Sequence, residues 1–131
     1  MSSCVGYIFS RFSENDFRYP QHVQNLVNRT YAKELNFDFK LSATEYSLEN
    51  CYVVLNNLIN TDENKNIIIF SYNILPDKLS DFYKILRTSI TNNKKIYFAL
   101  EKFNLVSALD LDQLMSIKKI NIAMENYVKR N

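Results

Sequence analysis

Apolar and polar positions along this 131-residue chain follow two different periods in alternation. Four short runs read as strands: CVGYIFS (4–10), FDFKLS (37–42), NIIIFSY (66–72) and KIYFALE (95–101). In the second, Phe37, Phe39 and Leu41 alternate with polar residues, the two-residue period of a strand with one face buried. The third is a continuous β-branched and aromatic run, suited to a strand covered on both faces. Between the runs the spacing changes to 3.6 residues. Val23, Leu26, Val27, Thr30 and Tyr31 predict an amphipathic helix over 20–36, and Val53, Val54, Leu55, Leu58 and Ile59 a second over about 50–60. Leu79, Phe82, Tyr83, Leu86 and Ile90 give the cleanest helix, over 77–91. A last helix, over about 109–129 with Asp110 as its N-cap, is less regular. Its Ile117, Ile120, Ile122 and Met124 cover more than one face, which suggests burial on two sides and a homodimer contact.

The order β-α-β-α-β-α-β-α, with crossovers long enough for parallel connections, predicts a three-layer α/β/α domain on a mostly parallel four-stranded sheet. Residues 1–131 read as one such domain.

Composition changes this picture little. The excess of Asn, Lys, Ile, Tyr and Phe is what AT-rich codons produce, and the net charge of +2 is no nucleic-acid footprint. The basic pairs Lys94-Lys95, Lys118-Lys119 and Lys129-Arg130 are short and read as surface. Cys4 and Cys51 sit beside apolar runs and read as small core residues of a reducing compartment. No C-x-x-C pattern points to a metal. A single glycine, Gly6, argues against a phosphate-cradling loop, so no cofactor is expected. There is no signal-peptide pattern, and no run approaches the roughly 18 apolar residues of a membrane span. A cytoplasmic protein is expected.

In an open parallel sheet, ligands bind outside the carboxyl ends of the strands, beside helix N-termini. That rule selects Ser10 and Arg11 after the first strand, and Ser42, Thr44, Glu45 and Tyr46 after the second. It selects Ser71, Tyr72 and Asn73 after the third strand and Glu101 after the fourth. Arg11 is a forked donor for a carboxylate or phosphate. Pro20 suits the first helical position, which puts Gln21 and His22, the only histidine, in a first turn whose free N–H groups attract anions. The helix dipole there favours a neutral imidazole, able to exchange a proton with substrate. His22, Asn25 and Arg29 share one stripe of that helix, which is either a solvated surface or part of a site.

Two family resemblances run through these residues. GYIFSRFS, the SATE strand end and NIIIFSYNILPDKLSDFYKIL follow in an order that resembles the catalytic domain of serine recombinases (resolvases and invertases), over roughly residues 4–107. This implies a resolvase-like fold. Where that family carries an arginine-rich stretch after the third strand, this chain reads SYNILPDKLSD, and no DNA-binding segment follows. Phosphoryl transfer needs cations around its nucleophile, so neither DNA cleavage nor a nucleic-acid partner is expected. GYIFSR, PQHVQNLVNRTYA, LSATEY and FALE also resemble the small bacterial sporadic carbohydrate cluster proteins, from Val5 to about Leu114. That resemblance implies a role in surface-polysaccharide or unusual-sugar biosynthesis. It marks Ser10, Arg11, Pro20, Gln21, His22, Asn25, Ser42, Thr44, Glu45, Tyr46 and Glu101.

The combined expectation is a metal-independent isomerase, epimerase or lyase acting on an anionic sugar or nucleotide sugar. In it His22 is the acid/base, Glu45 or Glu101 complements it, and Ser10 is a further catalytic candidate. Arg11 binds the anion, with Gln21, Asn25, Arg29, Ser42, Thr44, Tyr46 and Tyr72 as substrate contacts. The alternatives are a non-catalytic partner that stabilises another enzyme of the same pathway and a residual nucleic-acid activity.

Overall fold

The structure is a computed structural model that describes residues 2–10 and 18–130. Its elements are β1 (Ser3–Ile8), α1 (Gln21–Glu34), β2 (Asp38–Thr44), α2 (Val53–Asn60), β3 (Asn66–Ile69) and a 3-10 turn (Tyr72–Ile74). After these come α3 (Leu79–Thr91), β4 (Lys95–Phe98), β5 (Phe103–Leu105) and α4 (Ala108–Arg130). The sheet runs β2-β1-β3-β4-β5, with β1 to β4 parallel and β5 antiparallel to β4. The mostly parallel α/β fold expected from the sequence is the one observed, with one strand more. KIYFALE is not one strand: it ends at Phe98, turns through Lys102 (φ 53°) and returns as β5, pairing Phe98 with Phe103.

Alternation along the strands divides the core in two. Val5, Tyr7, Ile67, Ile69, Ile96 and Phe98 pack against Leu55 and Ile59 of α2, Phe82 and Leu86 of α3, and Leu111 and Leu114 of α4. On the other face Cys4, Ile68 and Tyr97 meet Tyr31 and Ala32 of α1. Burial raises the Cys4 thiol to about 11, with Asp38 adding to the effect. Neither cysteine is in a disulfide; Cys4 is buried and Cys51 half-buried.

Asparagine does the work at helix ends that glycine does elsewhere. Asn36 and Asn93 take φ of 59° and 58° just past α1 and α3. Around each, two backbone bonds close a Schellman motif: Asn36 to Lys33 and Phe37 to Ala32, then Asn93 to Ile90 and Lys94 to Ser89. A short polar side chain tolerates this left-handed backbone better than other non-glycine residues do. Gly6 itself answers a close approach, because a Cβ there would stand 2.5 Å from the Phe39 ring.

Several finer expectations are corrected. Leu26 of α1 is 66% exposed, and the residues this helix buries are Gln24, Asn28, Tyr31 and Ala32. The reason is an unmet backbone need on β1. The Gln24 amide accepts from Phe9 N–H (3.0 Å) and donates to the carbonyls of Phe9 (2.6 Å) and Tyr19 (2.8 Å). Asn28 donates to the Tyr7 carbonyl at 3.4 Å. In β2 the pairing register shifts between Cys4 and Gly6, so the Phe37-Phe39-Leu41 alternation breaks and Leu41 turns outward, 56% exposed. Asp110 is not the N-cap of α4: its carboxylate reaches back to the N–H groups of Val106 and Ser107, three to four residues before it. Lys118 is not a surface residue, being 5% exposed, 3.3 Å from Asp77 and over the Phe82 ring.

Gln24 and Leu26 therefore exchange the weights that hydrophobic spacing assigns them. Gln24→Met, which keeps the volume but strands three buried backbone groups, is expected to cost about 2–4 kcal/mol. Leu26→Gln should stay within about 0.5 kcal/mol of the parent. Urea denaturation of the two variants checks the order.

Candidate functional site

The chain winds left from β1 to β2 with α1 on one face, and right from β3 to β4 with α3 on the other. The turnover point is the crevice between the carboxyl ends of β1 and β3, where sheets of this kind leave room for a ligand. Ser10 emerges there from β1, Ser71 and Tyr72 from β3, and Tyr19 from the approach to α1. The Tyr19 ring lies against Phe70 at 4.8 Å.

Glu101 closes this end of the sheet from the β4–β5 turn. Its carboxylate accepts from Ser71 Oγ at 2.6 Å and from the Tyr72 N–H at 3.3 Å. Burial pushes its carboxyl above the ordinary carboxylate value, and the two hydrogen bonds only partly oppose this. The Tyr19 and Tyr72 phenols are raised in turn, by burial first and by the Glu101 charge second. The Tyr72 hydroxyl also meets the Asn121 side chain of α4, which ties the last helix to this edge.

Glu45 occupies a different place. It is 3% exposed, accepting from the Tyr7 hydroxyl at 2.8 Å and from the backbone N–H groups of Tyr46, Val54 and Leu55 at 3.0–3.2 Å. Two of those donors lie in the first turn of α2, so the carboxylate caps a helix start that has no cap of its own.

The other candidates distribute as follows. Ser10 Oγ lies 2.5 Å from Ser47 Oγ. His22 and Gln21 are exposed on the first turn of α1, and His22 makes no hydrogen bond or ion pair with another described residue. Asn25 accepts from Ser42 Oγ at 2.5 Å, and Arg29 lies 4.7 Å over the Phe39 ring, so the outer stripe of α1 faces edge strand β2. Thr44 and Tyr46 are exposed after β2. Arg11 lies outside the described residues. Tyr72 and Glu101 thus meet past the end of β3, Ser10 past the end of β1 pairs with Ser47, and Glu45, Asn25, Arg29 and Ser42 join elements to one another. Hydrophobic spacing missed Gln24 and Tyr19, and only the amides at 24 and 28, one helical turn apart, marked that face in advance. An open groove of about 1,040 Å³ between α2 and α3 is lined by none of the twelve candidates. Among the described residues no helix is long and apolar enough to cross a membrane.

With this geometry the chain has the fold of a recombinase catalytic domain. The solved structures similar to it include the N-terminal catalytic domain of TP901-1 integrase, at a TM-score of 0.63 and 13% identity, covering 95% of this chain and 98% of that one. A resolvase family site-specific recombinase from Streptococcus pneumoniae matches at 0.61 and 12% identity, over 98% of both chains. No family model and no curated protein matches the chain. Two expectations are corrected by these findings: a sugar-biosynthesis enzyme, and a protein without a nucleic-acid partner. The neighbours are recombination proteins by name, and no match supports a carbohydrate role. The physical basis of the sugar reading is weaker too, since the Glu45 carboxylate is taken up by the start of α2.

The raised Glu101 value has a definite sign. A carboxyl that ionises later in the folded chain binds more protons folded than unfolded, so its contribution is full below about pH 4.5. That contribution is lost as pH rises through the folded value. Glu101→Gln keeps an acceptor for Ser71 and removes the ionisation. Denaturation across a pH series should show wild type losing stability relative to the variant above the carboxylate range. Parallel profiles for the two proteins would contradict this.

Proposed function

We propose that this chain is a recombinase-class domain that works on DNA inside the cell. The crevice between β1 and β3 is where it meets the phosphate backbone. The observation that carries the reading is the alignment of the whole chain with two recombination domains, over 95–98% of this chain and 98% of each neighbour. Local chemistry supports it. Ser10 stands at the mouth of β1 with Arg11 next in sequence, and the free N-terminal turn of α1 begins ten residues on. Arg18 and Lys119 add exposed positive charge.

Binding is the principal activity in this reading, and strand cleavage is the second. Cleavage is favoured by the Ser10 hydroxyl at the end of β1, which among the described residues is neither fully buried nor held by Glu101. Against it, the turn after β3 presents Ser71, Tyr72 and Asn73, with no cation to stabilise a phosphoryl transition state.

Fluorescence anisotropy with a labelled duplex tests the proposal. Binding in the range of about 1–100 µM at low salt is expected, weakening as salt rises because counterions are released. Arg11→Ala should weaken it several-fold and flatten the salt slope by about one. No binding at low salt would overturn the reading. Nicking of supercoiled plasmid that is lost in Ser10→Ala would establish the cleavage reading in addition.

A further inference from the structure

α1 sorts its charges by side. At about 100° per residue, His22, Arg29 and Lys33 fall within an arc of about 40°. The centre of that arc lies about 135° from the centre of the buried set Gln24, Asn28, Tyr31 and Ala32. All three side chains are exposed. The one acidic residue of the helix, Glu34, projects to the other side, where Lys102 of the β4–β5 turn holds it at 3.2 Å.

Edge strand β2 runs beside the stripe, with Asn25 meeting Ser42 and the Arg29 guanidinium 4.7 Å over the Phe39 ring. A ring engages the face of a guanidinium and leaves its N–H donors for another partner. The one carboxylate of β2, Asp38, is taken up by Lys40 at 2.7 Å. Among the described residues, neither Arg29 nor Lys33 is in an ion pair. The other long helices mix their signs: α3 carries Asp81 with Lys84 and Arg87, and α4 carries Asp112 and Glu125 with Lys119 and Lys129. The outer stripe of α1 is cationic only.

We infer that this stripe is a track for the phosphate backbone of duplex DNA, carrying the contact from the crevice along the α1–β2 edge. The inference rests on the DNA reading and adds a second surface to it. Three features select that partner. His22 to Lys33 spans about 16 Å of helix, close to five steps of 3.4 Å along one DNA strand. The stripe starts at the turn where Gln24 is bonded to Phe9, just past the end of β1, so one strand can pass from the crevice onto it. Its cations stand in a row with polar Asn25 and Ser42 between them, which suits a uniform charged backbone. Contacts of this kind add affinity and position the protein without reading sequence.

Anisotropy of a labelled duplex with the full chain, over a series of salt concentrations, tests the stripe. The double variant Arg29→Gln, Lys33→Gln should bind about ten-fold more weakly at low salt, with a salt slope lower by about two. Arg29→Lys keeps the charge and loses the planar fork over Phe39, and should stay within about two-fold of wild type. The control Lys65→Gln, Lys95→Gln removes the same charge at exposed positions by the amino ends of β3 and β4, and should also stay within about two-fold. All four substituted positions are exposed, so melting temperatures should be unchanged. Wild type that binds while the stripe double variant matches it in affinity and slope overturns the inference and leaves the DNA reading standing. An equal loss in the control overturns it too, by showing dependence on net charge alone. A wild-type chain that does not bind overturns both.

Discussion

The end of a central parallel strand poses a problem of backbone satisfaction, and the arrangement of this molecule follows from how it is solved. β1 lies between β2 and β3, and its last paired residue is Ile8. Phe9, one residue further, is 2% exposed and lies beyond the last paired residue of the strand. Gln24 supplies partners for its N–H and its carbonyl from α1, and its second N–H bond holds Tyr19, on the far side of the segment that follows β1. Each bond is worth only about 1 kcal/mol made, but more if a buried partner is left unpaired. That asymmetry forces an amide to the inner face of α1 and fixes how the helix lies on the sheet.

The same demand accounts for much of the polarity around the strand ends. Glu45 serves the start of α2, Glu101 serves Tyr72 and Ser71, and Lys94 donates to the carbonyls of Thr61 and Asn64 after α2. Ionisable groups at these positions are first of all scaffold. At Glu101 the hydrogen bonds from Ser71, the Tyr72 N–H and its own N–H do not offset burial. Asn121 connects this crevice, through Tyr72, to the last helix, α4.

How much could be read in advance differs from element to element. The extent of α3 was legible, because Phe82 and Leu86 repeat at 3.6 residues, although Ile85 and Ser89 share the buried face and Tyr83 is exposed. The extent of α1 was legible from Pro20 and its apolar spacing, but its orientation was not: an apolar count cannot see that amides will be drawn inward by β1. β2 lost its phase to a register shift that belongs to the pair with β1 and not to either strand alone. β5 is three residues long and exists because β4 offers it an open edge. The strand-end rule chose Ser10, Tyr72 and Glu101, which lie just past the carboxyl ends of β1, β3 and β4. It also chose Glu45, which sits at a strand end in sequence but is turned inward to cap a helix in space.

What the sequence by itself determined is the alternation of strand and helix, the stops at Asn36 and Asn93, and the double apolar face of α4. These depend on periodicity and on backbone preferences within a few residues. Tertiary structure alone decided which side of α1 faces the sheet, which carboxylates become caps, and that Glu101 meets Ser71 and Tyr72. Those outcomes turn on hydrogen bonds between residues 15 to 38 positions apart, from Gln24 to Phe9 and from Glu45 to Tyr7. No local pattern records a partner at that distance.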